Sequence, residues 1–293
     1  MERNPERLTL VNYPKTVDIS MTGKCQLDCP FCWGEEHTVG TVHDGNTWKN
    51  LLRNFKEVGT SGVVFTGGEP LMDPSLPDVL RYAKEDLSMR ITLSTNAILL
   101  AKKHKLVLPL VVDLGLPLDG STPDVNKTMR PGKINNFQRV LNGLKMVEAD
   151  YPNIELTVRT VIARPNIHDV ANIPQTLIDN GIDLSHLRYK IYQVEPIGPR
   201  AKLVKTDAWS VNEDECRVVE SAIRERYPNL SIQLQLYGKT SGRYYQIGPE
   251  GNAYGTLIGQ DGSPQMVELG NPINDFGVVI DMIATRYPFS STH

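Results

Sequence analysis

The sequence predicts an α/β protein, a partial (β/α)6 barrel of TIM-like plan with a small α+β extension at its C-terminal end. Two observations predict this fold. Short, nearly continuous apolar runs alternate with longer stretches of helical period, as in a parallel sheet covered by helices. After about residue 204 the alternation changes. We therefore place the barrel in residues 1–204 and an extension that closes it in residues 205–293.

Six apolar runs are the predicted strands. Each run is rich in β-branched or large apolar residues and is followed by polar, glycine or proline residues. In chain order they are TVDISM, GVVFTGGEP, RITLSTN, LVVDLGLPLDG, ELTVRTVIA and LRYKIYQVEPIG.

Four helices are predicted between these strands, because apolar residues recur there at helical spacing. They are NTWKNLLRNFKEVG, PDVLRYAKED, NNFQRVLNGLKMVEAD and VANIPQTLIDNG. The first has a continuous apolar face formed by Trp48, Leu51, Leu52, Phe55 and Val58. The extension is predicted to contain a helix, a strand, a hairpin and a final helix, namely EDECRVVESAIRERY, SIQLQLYG, RYYQIGPEGNAYGTLI and NDFGVVIDMIATRY.

The composition argues against two classes of partner. The formal net charge of -3 gives no basic surplus for binding a nucleic-acid polymer. The segment MERNPERLTLVNYPK is charged and lacks the apolar stretch of a signal peptide. The most apolar segment, KLVLPLVVDLGLPLDG, is interrupted by Pro109, Asp113 and Pro117 and is too short to span a bilayer. We therefore expect a cytoplasmic protein without a membrane partner.

Three of the four cysteines, Cys25, Cys29 and Cys32, lie within one short loop after the first predicted strand. In a reducing compartment such a group is more often a metal site than a set of disulfides. One interpretation is structural zinc with His37 as fourth ligand, although zinc usually takes its ligands from two separated pairs. The other is an iron–sulfur cluster held by three thiolates, which leaves one iron open to a ligand.

Polar motifs follow the second, third and fourth predicted strands. They are TGGEP, STN and LPLDG. The ligand site of a βα barrel lies at the carboxyl ends of its strands. The cysteine loop and these motifs are therefore predicted to surround one site.

The segment TGKCQLDCPFC resembles the TxxCNxxCxxC signature of the radical S-adenosylmethionine (SAM) superfamily, with Gln26 where Asn is common. The resemblance implies a barrel of the radical SAM type with one [4Fe-4S] cluster on Cys25, Cys29 and Cys32. It also implies that SAM binds the open iron. Phe31, directly before the last cysteine, belongs to the same motif.

The resemblance further implies a set of SAM contacts. TGGEP is similar to the motif that holds the methionyl ammonium, and STN to the one that binds the ribose and carboxylate. Asp119 and Arg130 match the SLDG…D…RG segment, while Arg159 is expected to meet either the SAM carboxylate or Asp119. The expected cofactor-binding residues are Phe31, Thr66, Gly67, Gly68, Glu69, Ser94, Thr95, Asn96, Asp119, Arg159, Val161 and Gln193.

The implied reaction is reductive cleavage of SAM to a 5′-deoxyadenosyl radical, which takes hydrogen from a substrate. The resemblance implies a flavodoxin- or ferredoxin-like electron donor. Auxiliary-cluster chemistry is disfavoured, because only Cys216 remains once three cysteines are used.

The C-terminal part resembles viperin-like and other nucleoside- or sugar-modifying members, since Arg188, Lys190 and Gln193 repeat an RxKxxQ pattern. We therefore expect a small polar metabolite, such as a nucleotide, nucleoside or sugar. Dehydration, dehydrogenation, decarboxylation or epimerisation would each fit. Arg130, Arg188 and Lys190 are the candidate substrate contacts. The alternatives are modification of a peptide substrate and a metal-binding scaffold without catalysis.

Overall fold

The computed structural model describes residues 13–34, 39–239, 245–259 and 264–286. These residues form one ten-stranded sheet with helices packed on it. The strands are β1 (Thr16–Ser20), β2 (Gly62–Thr66), β3 (Arg90–Ser94), β4 (Asp113–Pro117), β5 (Glu155–Ile162), β6 (Leu187–Gln193), β7 (Ser231–Gln235), β8 (Tyr245–Ile247), β9 (Ala253–Ile258) and β10 (Pro264–Gly270).

The strands lie in the order β10-β9-β8-β1-β2-β3-β4-β5-β6-β7. All neighbours from β8 to β7 pair in parallel, whereas β9 and β10 are antiparallel. The six predicted strands are β1 to β6 and lie side by side in chain order. The predicted α/β class and partial barrel are confirmed.

Nine helices pack on the sheet in the described residues. They are α1 (Gly45–Glu57), α2 (Leu76–Arg81), α3 (Leu100–Val107), α4 (Pro123–Met129), α5 (Phe137–Asp150), α6 (Ile173–Asp179), α7 (Ala201–Val204), α8 (Glu213–Arg226) and α9 (Phe276–Arg286). The predicted apolar face of α1 is buried at Trp48, Leu51, Leu52 and Phe55. The sequence did not predict α3, because LAKKHKLV buries only its two ends, Leu100 and Val107.

The two faces of the sheet have different chemistry, because successive side chains of a strand point to opposite faces. In β6 the residues alternate strictly between buried and half-buried from Leu187 to Gln193. The half-buried residues of this strand are Arg188, Lys190 and Tyr192, whereas the buried ones include Leu187, Tyr189 and Ile191. The apolar core therefore lies between sheet and helices, and polar side chains line the concave interior.

The amino ends of β3 to β6 are joined by a group of ion pairs, which we call the basal ion-pair network. Arg188 pairs with Asp113 and, at 2.9 Å, with Glu155. Arg90 pairs with Glu155 at 2.8 Å. This network lies at the end of the strands opposite to the cysteine loop.

The C-terminal extension widens the sheet at both edges. It adds β7 beside β6 and adds β8, β9 and β10 on the β1 side. Within the described residues β7 and β10 form the two edges of the sheet and do not pair with each other; that the extension closes the barrel stays a prediction. Phe55 of α1 packs against Tyr245 and Phe276 of the extension, with ring centroids 5.8 and 5.0 Å apart. In the part of the chain that the structure describes, every helix is too short or too polar to cross a membrane.

Candidate active site

The cysteine loop follows β1 and brings three thiols to one cavity. Cys25, Cys29 and Cys32 are free cysteines and line a cavity of about 180 Å³, here called the inner cavity. The Cys32 N–H donates to the Cys29 carbonyl at 3.1 Å, and the Asp28 N–H donates to the Pro131 carbonyl at 2.7 Å. These bonds fold the loop back on itself and fix it to the segment after α4.

The zinc interpretation rested on His37, which lies outside the described residues. Among the residues that are described, no group of three His, Cys, Asp or Glu side chains is arranged to hold a single metal ion. The three thiols line the wall of the inner cavity.

The Gly67–Gly68 turn at the end of β2 lies directly against the base of the cysteine loop. Gly67 has φ +113°, and a Cβ there would lie 2.0 Å from Ser20 Oγ. A Cβ on Gly68 would lie 2.4 Å from the carbonyl oxygens of Gly23 and Lys24. Only glycine permits this approach of two backbones. Gly67, Gly68 and Thr66 all line the inner cavity.

Glu69 is fully buried and holds the STN turn in place. Its carboxylate accepts from Thr95 Oγ1 at 2.6 Å, from the Asn96 N–H at 2.7 Å and from the Leu71 N–H at 3.1 Å. Burial raises the pKa of Glu69 to about 7, against the lowering effect of these hydrogen bonds. Glu69 is not among the residues that line the cavity, so its contact with the SAM ammonium stays a prediction.

The STN turn meets the cysteine loop through Asn96. Asn96 Nδ2 donates to Gln26 Oε1 at 2.9 Å and to Cys25 Sγ at 3.6 Å. Gln26, the residue that departs from the usual motif, thus bonds to the turn. Ala97, directly after this turn, has a left-handed backbone, with φ +68°. Ser94, Thr95 and Asn96 line the inner cavity as expected from their position at the strand end.

Asp119 and Arg130 form an ion pair with each other. The buried Asp119 also accepts from the Val161 N–H at 2.7 Å. Arg130 Nη1 lies 3.7 Å from Cys29 Sγ, and its guanidinium lies 5.3 Å from the centre of the Phe31 ring. Asp119 is therefore occupied by protein groups, and Arg130 is held beside a cysteine.

Arg159 lines both the inner cavity and a second cavity beside it, described below as the middle cavity. Its Nη1 donates to Ser94 Oγ at 2.8 Å, and its buried Nε has no hydrogen-bond partner among the described residues. The alternative pairing with Asp119 is not seen, because Asp119 pairs with Arg130 instead. A buried donor without a partner is costly, which fits an anionic ligand at this position.

Two further cavities continue from the inner one. A middle cavity of about 300 Å³ shares Cys32, Thr66, Gly67, Arg130 and Arg159 with it. Its other lining residues include Phe31, Val161 and Gln193, which are three of the expected cofactor-binding residues, together with Tyr192 and Asp18. Gln193 is bonded to protein at both ends, to the Val211 carbonyl and the Tyr237 N–H, each at 2.8 Å.

An outer cavity of about 650 Å³ shares Trp33 and Gln246 with the middle one. It lies between the segment after β6 and the strands of the extension, and its walls include Pro196, Pro199, Tyr237, Tyr254 and Met266. Arg200, in the same segment after β6, donates to the Cys29 carbonyl at 3.1 Å and pairs with Asp28. The segment after β6, which forms one wall of the outer cavity, is thus bonded to the cysteine loop.

The remaining predicted substrate contacts lie elsewhere. Arg188 is in the basal ion-pair network, at the amino end of β6, and lines none of the three cavities. Lys190 lies two residues further along β6 and faces the same side of the sheet as Arg188. Burial lowers the pKa of Lys190, and the nearby charges of Arg159 and Arg188 lower it further. Their position does not support direct contact with a ligand in these cavities.

Sequence reasoning missed Asp18 and the buried asparagines. Asp18 lies in the middle of β1 and lines the middle cavity; a carboxylate inside the apolar run TVDISM was the available signal. Asn126 and Asn136 form a buried chain, in which Asn126 Oδ1 accepts from the Asp119 N–H at 3.0 Å and Asn136 Nδ2 donates to the Asn96 carbonyl at 3.1 Å. No local pattern marked these two residues.

Comparisons with known proteins agree with this geometry. A family model for the radical SAM superfamily matches residues 19–176, more than half of the chain. The chain therefore belongs to the radical SAM superfamily and is an enzyme of that class. Its cofactors are a [4Fe-4S] cluster and SAM. The three cavity-lining thiols, the glycine backbone cradle and the unpartnered Arg159 Nε fit these groups.

Among curated relatives, the PqqA peptide cyclase of Bradyrhizobium diazoefficiens is 30% identical over 240 residues, which cover 79% of this chain and 60% of that protein. The GTP 3′,8-cyclase of Limosilactobacillus fermentum is 32% identical over 149 residues, covering 48% of this chain and 44% of that protein. The chain thus spans at most 60% of either relative.

Among solved structures, Streptococcus suis SuiB bound to SAM superposes with a TM-score of 0.70 and 16% identity, covering 97% of this chain and 68% of SuiB. SuiB bound to its precursor peptide SuiA gives a TM-score of 0.69 and covers 85% of this chain and 60% of SuiB. At this identity the likeness is one of fold.

Proposed function

We propose that this radical SAM enzyme modifies a peptide. The curated relative PqqA peptide cyclase and the structural neighbour SuiB, solved with a precursor peptide, support this substrate class. The observation that carries the proposal is the 30% identity to the PqqA peptide cyclase over 79% of this chain; the outer cavity of about 650 Å³ beside the middle cavity gives room for a side chain or a short peptide segment. The sequence alone favoured a small polar metabolite, and the relatives favour the alternative.

The residues of the chain divide the work between the cavities. Cys25, Cys29 and Cys32 would hold the cluster, which supplies the electron for SAM cleavage and hence the radical that abstracts hydrogen. Arg159 would bind the SAM carboxylate, since its Nε is unpartnered and its Nη1 is fixed by Ser94. Gly67 and Gly68 give SAM access to backbone groups that side chains would cover.

The outer cavity would receive the peptide and direct one residue toward the middle cavity. Tyr237, Tyr254 and Met266 offer apolar surface, and aromatic side chains contribute much of the burial in recognition sites. Gln246 lines both the outer and the middle cavity, so its amide can bond to a peptide group at the boundary. A flavodoxin- or ferredoxin-like protein would supply the electron.

A second candidate is a nucleotide substrate. It is favoured by the GTP 3′,8-cyclase relative and by the RxKxxQ pattern shared with viperin-like members. The location of Arg188 in the basal ion-pair network weakens it, because that side chain is already paired with two carboxylates.

The test is SAM cleavage by the anaerobically reconstituted enzyme with dithionite. Synthetic peptides encoded by short reading frames beside the gene, GTP and nucleotide sugars would be compared for stimulated release of 5′-deoxyadenosine. We expect a peptide to stimulate release and to gain or lose mass, and deuterium from that peptide to appear in 5′-deoxyadenosine.

Cys29→Ala should abolish release, because only two thiols would remain on the cluster. Cys216→Ser is the matched control: Cys216 is buried on α8 and lines none of the three cavities, so this variant should keep its iron. Stimulation by GTP or a nucleotide sugar alone would replace the peptide proposal with the second candidate.

A further inference from the structure

We propose that Arg130 is a positioning residue that raises the reduction potential of the cluster by donating a hydrogen bond to the Cys29 thiolate. The sequence suggested a substrate contact for this residue. The inference depends on the cluster and not on the identity of the substrate, so it stands or falls separately from peptide modification.

Arg130 is fixed by three different contacts. It forms an ion pair with Asp119, whose side chain is 0% exposed, and only 15% of the Arg130 side chain is exposed. The Phe31 ring lies 5.3 Å beneath the guanidinium. These contacts aim Nη1 at Cys29 Sγ, 3.7 Å away. Because Phe31 stands directly before Cys32, the same arginine also braces the last turn of the cysteine loop.

The contact favours negative charge on the sulfur. Arg130 Nη1 donates to Cys29 Sγ, whereas the Asp119 carboxylate pairs with Arg130 Nε. The Arg130–Asp119 pair is neutral as a whole, so its influence is short-ranged and directed: the positive end points at Cys29.

Reduction adds one negative charge to an iron–sulfur cluster, and much of that charge resides on its sulfurs. Hydrogen bonds to the sulfurs and nearby charge are among the features that set the potential of such clusters. A donor held against one thiolate therefore stabilises the reduced form more than the oxidised form. Arg130 would make electron acceptance from the donor protein easier without touching the substrate.

The test is an EPR-monitored redox titration of the reconstituted enzyme without SAM or substrate. In Arg130→Gln we expect the ratio of reduced to oxidised cluster at a fixed potential to fall about tenfold, equivalent to a midpoint about 59 mV lower for one electron. Arg130→Lys, which keeps the charge but not the planar fork, should fall between Arg130→Gln and the wild type.

Arg90→Gln is the matched control, because Arg90 also pairs with a carboxylate on the same sheet but lies in the basal ion-pair network. Its midpoint should equal that of the wild type. If Arg130→Gln folds poorly because Asp119 is left unpaired, Arg130→Gln/Asp119→Asn removes both charges together and should still show the lower midpoint.

An Arg130→Gln or double variant with full iron content and an unchanged midpoint would overturn the proposal. An equal shift of the midpoint in Arg90→Gln would also overturn it, since the shift would then come from the loss of one positive charge anywhere on the protein and not from the hydrogen bond to Cys29. Loss of iron from both Arg130 variants would contradict it as well, because the role of Arg130 would then be structural.

Discussion

At the scale of single residues, Asp18 has an environment that makes stability depend on pH. It lies in β1 with its side chain toward the middle cavity. Burial raises its pKa from 3.8 to about 6, although the charges of Arg159 and Lys190 oppose the shift. A carboxyl whose pKa is raised on folding stabilises the protein below its unfolded pKa. That stabilisation is lost as the pH rises through the folded value.

We therefore predict that Asp18→Asn raises the free energy of unfolding at pH 7 by up to about 3 kcal/mol, at about 1.4 kcal/mol per pKa unit. The difference from the wild type should shrink as the pH falls from 7 to 4. Urea denaturation at a series of pH values measures it. The exposed Asp86→Asn is the control and should show no such trend; a constant difference for Asp18→Asn at every pH would contradict the assignment.

Single residues also show what sequence could and could not predict about the site. Most residues that the motifs named line the inner or the middle cavity, because polar residues at neighbouring strand ends meet there; Glu69 and Asp119 do not line them. The partners of Asp119, Arg130 and Glu69 were not predictable, since they depend on contacts between segments far apart in sequence. Arg130 illustrates this: its contact with Cys29 joins residues 101 positions apart.

At the scale of elements, the chain of buried asparagines connects β3, β4, α4 and α5. Asn126 accepts from the Asp119 N–H and donates to Asn136 Oδ1 at 2.9 Å, and Asn136 in turn donates to the carbonyl of Asn96. The STN turn and the segment after β4 that carries Asp119 are therefore held in one hydrogen-bonded network.

Asn126→Ala should lower the free energy of unfolding by about 2–4 kcal/mol, because it leaves buried polar groups of two residues without partners. It should also weaken SAM binding, since the STN turn loses support. Denaturation and equilibrium dialysis with SAM measure the two effects. Asn142→Ala on the exposed side of α5 should stay within about 0.5 kcal/mol; equal losses in both variants would disprove a special role for the network.

The strands of the barrel were predicted from the sequence, whereas two short helices were not, and both results have physical reasons. Strands β1 to β6 were found because they are apolar runs between polar motifs. The helix α4 was not predicted because its start, Thr122 and Pro123, lies between Asp119 and Arg130 in a segment that was read as a binding motif. A capping signal was present there, since Thr122 Oγ1 accepts from the Val125 N–H at 3.3 Å. A helix as short as α7, from Ala201 to Val204, carries too few residues for a periodic signal.

At the scale of the whole molecule, the predicted partial barrel is confirmed, and the strands of the extension continue the same sheet at both edges. The placement of β7 beside β6 and of β8 beside β1 depends on pairings between strands far apart in sequence. Such pairings leave no local pattern. The boundary between residues 204 and 205 stays a prediction about folding units.

We predict that the two parts unfold together. Phe55 of α1 packs against Tyr245 and Phe276, so Phe55→Ala should remove about 3–5 kcal/mol from a single transition. Hydrogen exchange measured by mass spectrometry should show amides of β2 and β9 losing protection by the same amount. The exposed Val218→Ala on α8 is the control. Loss of protection in β9 alone would show that the extension unfolds separately.

The basal ion-pair network has a consequence for the order of events in turnover. It occupies the amino-terminal end of the interior in the described part of the chain, so we expect ligands to enter from the carboxyl ends of the strands. If SAM occupies the inner and middle cavities and the peptide the outer one, as proposed, we expect SAM to bind before the peptide and its products to leave after it. Ordered binding of this kind would shield a reactive species from solvent until the substrate has reacted.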